Sequence, residues 1–410
     1  MAKINYNYRK LKQDYLFGEI AKRTTAFSNA NPDNEIIKLG IGDTTLPLTE
    51  TVVAGLKDAV EAMGTDEGYR GYGVQKGQGE LRKAVAQYYK KTTGVSIDPD
   101  EVFISDGAKS DTANIQGIFA ADSVIAVQDP VYPVYVDTAV LSGKTGENND
   151  GNYDGIIYMP CGPEHGFFPE VPSIHVDIIY LCSPNNPTGT VASFEQLQSF
   201  VEYALKNNAI IIFDSAYSFF IQDDSVPRSI YEIERADECT IEISSFSKWA
   251  GFTGVRLGWT IVPKKLQTED SKPGELNAMW ERRQSTMFNG ASNIIQAGGL
   301  AVLSDKGVEE SNALAQYYMK NTHVIRAGLE NIGIETYGGE HAPYIWLKVP
   351  EGFDSWSFFD ELLNKASVVG TPGEGFGSQG KGYFRLSGFN HLEKVQEAMK
   401  RIQANFDFRK

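Results

Sequence analysis

Residues 176–217 read VDIIYLCSPNNPTGTVASFEQLQSFVEYALKNNAIIIFDSAY, and their order decides the fold. Two short apolar runs rich in β-branched residues, VDIIYLCS (176–183) and AIIIFDS (209–215), enclose SFEQLQSFVEYALKNN. Within that middle stretch Phe194, Leu197, Val201, Ala204 and Leu205 recur on one helical face. Ser193 followed by Gln196 has capping-box spacing, which marks where the helix begins. The stretch therefore predicts a strand, a helix and a second strand. Upstream, EVFIS (101–105) and SVIAVQD (123–129) repeat the strand signature and alternate with helical patterns, so the fold class is α/β with a mostly parallel central sheet flanked by helices.

The pattern changes in the second half of the chain. Residues 263–280 read as a break before one long helical stretch, ERRQSTMFNGASNIIQAGGLAVL (281–303). Beyond about 305 come a long helix, a strand in YGGEHAPYIWLKV, another helix and a strand in KGYFRLSGF, the makings of a smaller α+β domain. The expected division is a large domain at 47–296 and a small domain formed by 1–46 with 297–410.

Composition excludes several function classes. Lys plus Arg is 38 and Asp plus Glu is 53, and the net charge of −15 repels nucleic acid and anionic membrane surfaces. The first residues carry no uninterrupted apolar segment, and no run of 18 apolar residues occurs, so a soluble, cytoplasmic protein is expected. Cys161, Cys182 and Cys239 form no CxxC pair, and the five histidines do not cluster at metal-ligand spacing, so no metal is expected.

Several strand runs end in polar or glycine-rich loops: SDGAKSD (105–111), QDPVYPVY (128–135), CSPNNPTG (182–189) and DSAYSFF (214–220). In a parallel sheet these loops leave one edge together, and ligands of α/β proteins bind there. Ala108 and Lys109 lie where a helix begins, so their N–H groups suit a phosphate. Asp214, at the tip of an apolar strand, is a carboxylate in a poor solvent and needs a cation. Tyr217 offers a phenol to the same place. In SFSKWAGFTGVRLGW (245–259), Lys248 and Arg256 are two cations among hydroxyls, aromatics and glycines, with no acid beside them in sequence.

SPNNPTG, DSAY, SFSK and Arg256 eight residues past Lys248 resemble, in order and spacing, the fold type I pyridoxal-phosphate aminotransferases. The resemblance implies pyridoxal 5'-phosphate as cofactor, with Lys248 binding its aldehyde and Asp214 paired with its ring nitrogen. It also implies that Asn186 and Tyr217 hydrogen-bond the ring oxygen and that Tyr132 stacks on the ring. Ala108, Lys109, Ser245, Ser247 and Arg256 match the phosphate cup, Tyr72 the tyrosine lent by a neighbouring subunit, and Arg385 the arginine that grips the substrate's α-carboxylate. A homodimer with shared sites follows, acting on amino acids and 2-oxo acids.

KLGIGDTTLPL, EGYRGYG, FNGASNI, GGEHAPYIWLKV and TPGEGFG extend the resemblance, over nearly the whole chain, to the LL-diaminopimelate aminotransferase branch. That branch converts LL-2,6-diaminopimelate and 2-oxoglutarate to tetrahydrodipicolinate and glutamate in lysine biosynthesis. Tyr15, Gly42, Lys109, Asn289 and Arg385 would line the substrate pocket, with Tyr132 and Asn186 beside them. One position departs: the branch implies glutamate three residues past Tyr72, and this chain has Gln75. Aspartate or aromatic aminotransferases of the same fold are the alternative within the family.

Each residue also has an ordinary reading. Lys248 could start a helix, Lys109 could be a solvated loop lysine, Asn186 could shape its turn, Asp214 could cap a strand end, and the tyrosines and Arg385 could be packing residues. Spacing taken together favours chemistry. Gly375, Gly377 and Gly380 spell GxGxxG, but a strand-like segment follows where a dinucleotide site needs a helix. Ser245 with Lys248 spells SxxK, and KTG (144–146) precedes it, the reverse of the penicillin-recognising order. A non-catalytic, two-lobed amino-acid-binding protein fits the α/β pattern but leaves Lys248 unexplained.

Overall fold

The computed structural model describes residues 1–11, 16–40, 42–149 and 151–409. Seven strands form the main sheet: β1 (Val102–Ser105), β2 (Ile125–Asp129), β3 (Ile156–Pro160), β4 (Ile178–Cys182), β5 (Ile210–Asp214), β6 (Thr240–Ser245) and β7 (Gly258–Ile261). Their order is β1-β7-β6-β5-β4-β2-β3. The pairs β3/β2, β2/β4, β4/β5 and β5/β6 are parallel, and β7 runs antiparallel to both its neighbours.

The β-branched runs become strands because both faces of the sheet are covered. Along β4, Ile179 and Leu181 enter one hydrophobic core while Ile178, Tyr180 and Cys182 enter another, the two-residue period of a pleated strand. The crossover between β4 and β5 is the helix Phe194–Asn207. Its capping box is present: Gln196 N–H donates to Ser193 Oγ at 3.1 Å, and Ser193 N–H to Gln196 Oε1 at 2.9 Å. Phe200 joins Leu197, Val201 and Ala204 in the core, while Phe194 and Leu205 are half-buried at its margin.

Residues 281–303 are not one helix. Helices Glu275–Met287 and Asn293–Val302 are separated by a turn in which Asn289 (φ 68°) and Gly290 (φ 92°) take left-handed conformations that no helix continues through. The stretch read as a single strand around YGGEHAPYIWLKV is a hairpin, β8 (Thr336–Gly338) and β9 (Tyr344–Lys348), turning through residues 339–343. With β10 (Thr371–Pro372) and β11 (Tyr383–Ser387) it forms a four-stranded antiparallel sheet, order β8-β9-β11-β10. Helices Leu16–Ala30, Ser355–Ala366 and Leu392–Asn405 share the hydrophobic core of that sheet, and Ile37–Lys38 pairs in parallel with Val368–Val369. The helix Asp305–Glu330 is shared: Ala315, Tyr318 and Met319 enter the main core, Ile325 and Leu329 the smaller one.

Candidate active site

The carboxyl ends of β1, β2, β4, β5 and β6 and the near edge of the smaller sheet enclose a cavity of about 380 Å³. Lys248, Asp214, Tyr217, Tyr132, Asn186, Ser245, Ser247, Arg256, Ala108, Lys109, Gly42 and Arg385 all line it. The convergence follows from topology, because parallel strands deliver their outgoing loops to one edge. A second cavity of about 440 Å³, beside Tyr88, Phe219 and Arg228, contains none of these residues.

Lys248 sits in a turn fastened by Phe246 and Trp249, both fully buried; Phe219 stacks on Trp249 at 4.3 Å. Its Nζ donates to the Gly42 carbonyl and lies 5.7 Å from the Phe389 ring centre. Burial pulls the ammonium down to about 8; Asp43 opposes this, while Arg385 and Arg256 add to it. Asp43, far away in sequence, is the acid that local reading missed. Gly42 has to be glycine, since a Cβ there would lie 2.2 Å from Tyr344 Oη.

A group of donors lines the cavity with Lys248. Ser245 Oγ donates to Ser247 Oγ at 2.8 Å, and Ser247 N–H to Ser245 Oγ at 3.0 Å. Arg256 takes a left-handed backbone (φ 72°), an uncommon conformation for a residue with a Cβ, and donates to Thr253 O at 3.2 Å. Its Nη2 lies so close to Gly107 that a Cβ there would be 2.7 Å away. Helix Ala108–Asn114 begins beside it, as the sequence predicts. Lys109 lines the cavity with an exposed side chain.

Asp214 is 7% exposed and accepts from Tyr135 Oη at 2.6 Å and Ala216 N–H at 3.0 Å. Both donors are neutral. Burial drives its carboxyl upward, only partly offset by those bonds. Tyr132 meets Tyr135 edge-on, with ring centres 5.8 Å apart. Tyr217 Oη and Tyr344 Oη are 2.7 Å apart. Arg385, 2% exposed, donates to Asn186 Oδ1 and to Gly40 O, each at 2.6 Å, and among the described residues its Nε has no partner. The rings of Tyr344 and Phe376 lie 4.5 and 4.8 Å from its guanidinium carbon. A buried guanidinium held only by neutral acceptors is ready for an anion.

Three predicted residues do not reach this cavity within one chain. Tyr72 is 94% exposed, and Gln75 and Asn289 are also exposed. They share one surface region, because Asn293 Nδ2 donates to Gly71 O at 2.9 Å and Gln78 N–H to Gln296 Oε1 at 2.7 Å. Tyr15 lies outside the described residues. Tyr135, Tyr344, Phe376 and Asp43 line the cavity and were not singled out from sequence. Tyr135 follows Tyr132 by three residues in QDPVYPVY, a helical spacing that could have flagged it. Among the described residues no group of three or more His, Cys, Asp or Glu could hold a metal, and no helix is long and apolar enough to cross a membrane.

A family profile described as aminotransferase class I and II matches residues 34–147 and 163–402. Over 407 residues the chain is 54% identical to a protein of Prochlorococcus marinus named LL-diaminopimelate aminotransferase, covering 98% of this chain and 100% of the relative. The solved structure of L,L-diaminopimelate aminotransferase from Chlamydomonas reinhardtii superposes with a TM-score of 0.93 at 47% identity, over 99% of each chain. An aromatic aminotransferase from Pyrococcus horikoshii superposes with a TM-score of 0.79 at 25% identity, over 93% of this chain and 98% of its own. With the family profile spanning most of its length and a fold to match, the chain belongs to the class I and II aminotransferases.

Proposed function

We propose that the chain is a pyridoxal 5'-phosphate-dependent aminotransferase that moves an amino group from LL-2,6-diaminopimelate to 2-oxoglutarate, working as a cytoplasmic homodimer with shared sites. The observation that carries the proposal is one cavity holding a half-buried, easily deprotonated Lys248 together with a cation-seeking Asp214 and two arginines that, among the described residues, have no carboxylate partner in hydrogen-bonding contact. The substrate rests on the Prochlorococcus and Chlamydomonas relatives, named for that reaction.

The residues fit the cofactor. Asp214 has only neutral donors and would hold a proton on a pyridine nitrogen, which relieves the cost of its own burial. Ser245, Ser247 and Arg256, with the N–H groups of Ala108 and Lys109, would hold the phosphate. Tyr132 would cover the ring, and Asn186 and Tyr217 would bond its oxygen. When bound, pyridoxal phosphate supplies an aldehyde carbon and an electron-withdrawing ring.

The chain's own residues do the rest. Arg385 binds the α-carboxylate of each substrate in turn, two parallel N–H groups matching two oxygens. This fixes the α-carbon relative to Lys248. Near pH 8 the Lys248 amine exists both charged and neutral, so Nζ can take a proton from the α-carbon and return one during the reverse half. Tyr72 and Asn289, on the surface of one protomer, would complete the cavity of its partner. Glutamate formation from 2-oxoglutarate, measured with LL-diaminopimelate, aspartate and aromatic amino acids as donors, tests the reading. High rates with aspartate or an aromatic donor and none with LL-diaminopimelate would overturn the substrate and leave the aminotransferase chemistry standing.

A further inference from the structure

Asp129 ends β2 and is 1% exposed, yet its carboxylate does not face the cavity lining. It faces the turn that joins the smaller sheet to the site. Oδ2 accepts from Ser378 Oγ at 2.6 Å and Oδ1 from Gln379 N–H at 3.2 Å. Two residues on, Val131 N–H donates to Phe376 O at 2.8 Å. The contact is close enough to dictate sequence: at Gly377 (φ 131°) a Cβ would lie 2.1 Å from Asp129 Oδ1. Of the GxGxxG at 375–380, Gly377 thus lets backbone approach a buried carboxylate, while Gly380 closes the turn on Gly373. Both ends of the contact lie within three residues of cavity wall: Tyr132 follows Asp129 by three, and Phe376 precedes Ser378 by two and Gln379 by three. Phe376 in turn lies 4.8 Å from the Arg385 guanidinium carbon.

Building on the role given to Arg385 above, we propose that Asp129 is a positioning residue that ties the 373–380 turn to the end of β2 and so sets Phe376 against Arg385 in the α-carboxylate subsite. The tie spans the seven-stranded and four-stranded sheets. Without it Arg385 keeps Asn186 and Gly40 but loses the fixed ring on one face, and substrate carboxylates bind less tightly while proton transfer at Lys248 proceeds.

The test uses the cofactor-loaded enzyme with glutamate, 2-oxoglutarate and LL-diaminopimelate. Asp129→Ala should raise KM for all three by about 10-fold, with kcat within about 3-fold and the visible absorption of the bound cofactor unchanged. Asp129→Asn, which retains an acceptor for Ser378, should recover most of that loss. Ser378→Ala, on the partly buried side of the same contact, should raise KM by about 3-fold, and its effect should vanish in the Asp129→Ala background because the two act as one contact. The proposal is overturned if KM stays at the wild-type value, if kcat alone falls, or if the Ser378 and Asp129 effects simply add. Should Asp129→Ala not fold, Ser378→Ala decides: a KM at the wild-type value, or a fall in kcat alone, overturns the proposal. Arg385→Gln separates the two readings: if it leaves KM untouched, the role of Arg385 fails, whereas a raised KM there with a silent Asp129→Ala refutes only the tie.

Discussion

Tyr135 donates its phenolic hydrogen to Asp214 Oδ2 at 2.6 Å, across 79 residues of sequence, inside a cavity wall where both side chains are buried. The bond orients the carboxylate but cannot neutralise it, and in the function proposed above a cation on the cofactor ring would do so. Asp214→Asn should lower kcat/KM by at least about 100-fold, the scale of losing one preorganised electrostatic partner. Tyr135→Phe, which removes only the orienting bond, should cost roughly 10-fold or less. Steady-state kinetics at equal cofactor occupancy check both.

Lys248 should be the residue that takes the label when the cofactor-loaded protein is reduced with borohydride and its peptides are mapped. It is the cavity lysine whose amine burial brings to about 8, while Lys109 is exposed. A pyridoxyl group found on Lys109 would refute the assignment.

The same burial makes the cofactor-free protein's stability depend on pH. Below about 8 the native state holds a charged amine in a poor solvent. Between about 8 and the ordinary 10.5 the native amine is neutral while the unfolded one still binds its proton, so native stability rises with pH. Lys248→Met should therefore be more stable than the parent at pH 7, by up to about 3 kcal/mol. That advantage should shrink as pH climbs from 8 to 10.5, and denaturant melts across this range measure it.

Much of this was legible in sequence, for a physical reason. The strand–helix–strand stretch around SPNNPTG carries its own caps and periodicity, and the parallel order then forces Asp214, Asn186 and Tyr132 to one edge. What could not be read locally is what depends on approach between distant segments. Tyr344 and Phe376 come to Arg385 only once the smaller sheet has folded, and Asp43 reaches Lys248 from 205 positions earlier in the chain. The break at 288–292 was missed because apolar periodicity runs through it, while the left-handed Asn289 and Gly290 that stop the helix leave only a short Asn-Gly signal.

Tyr72 is exposed on one chain and assigned by us to the neighbour's cavity, so activity should be recoverable from two inactive proteins. Tyr72→Ala and Lys248→Ala subunits, mixed and allowed to exchange, should regain about a quarter of wild-type activity: half of random dimers are mixed, and one of their two sites is intact. No recovery after verified exchange would rule out a shared site.

Gln75 governs the last expectation. Transamination requires one pocket to accept glutamate and then a donor whose far end, in diaminopimelate, bears both an ammonium and a carboxylate. Arg385 would hold the α-carboxylate of either, leaving the far end to Lys109, Asn289 and the exposed segment that holds Gln75. A glutamate at 75 would attract the distal ammonium and repel the distal carboxylate of glutamate. The amide of Gln75 can accept from the first and donate to the second, so it discriminates less. The enzyme should therefore use LL-diaminopimelate while tolerating other donors. Gln75→Glu should shift the ratio of kcat/KM values toward diaminopimelate by about 1–3 kcal/mol, the range for one well-aligned charged hydrogen bond. Competition between LL-diaminopimelate and other donors measures that ratio, and an unchanged ratio would place Gln75 away from the distal end.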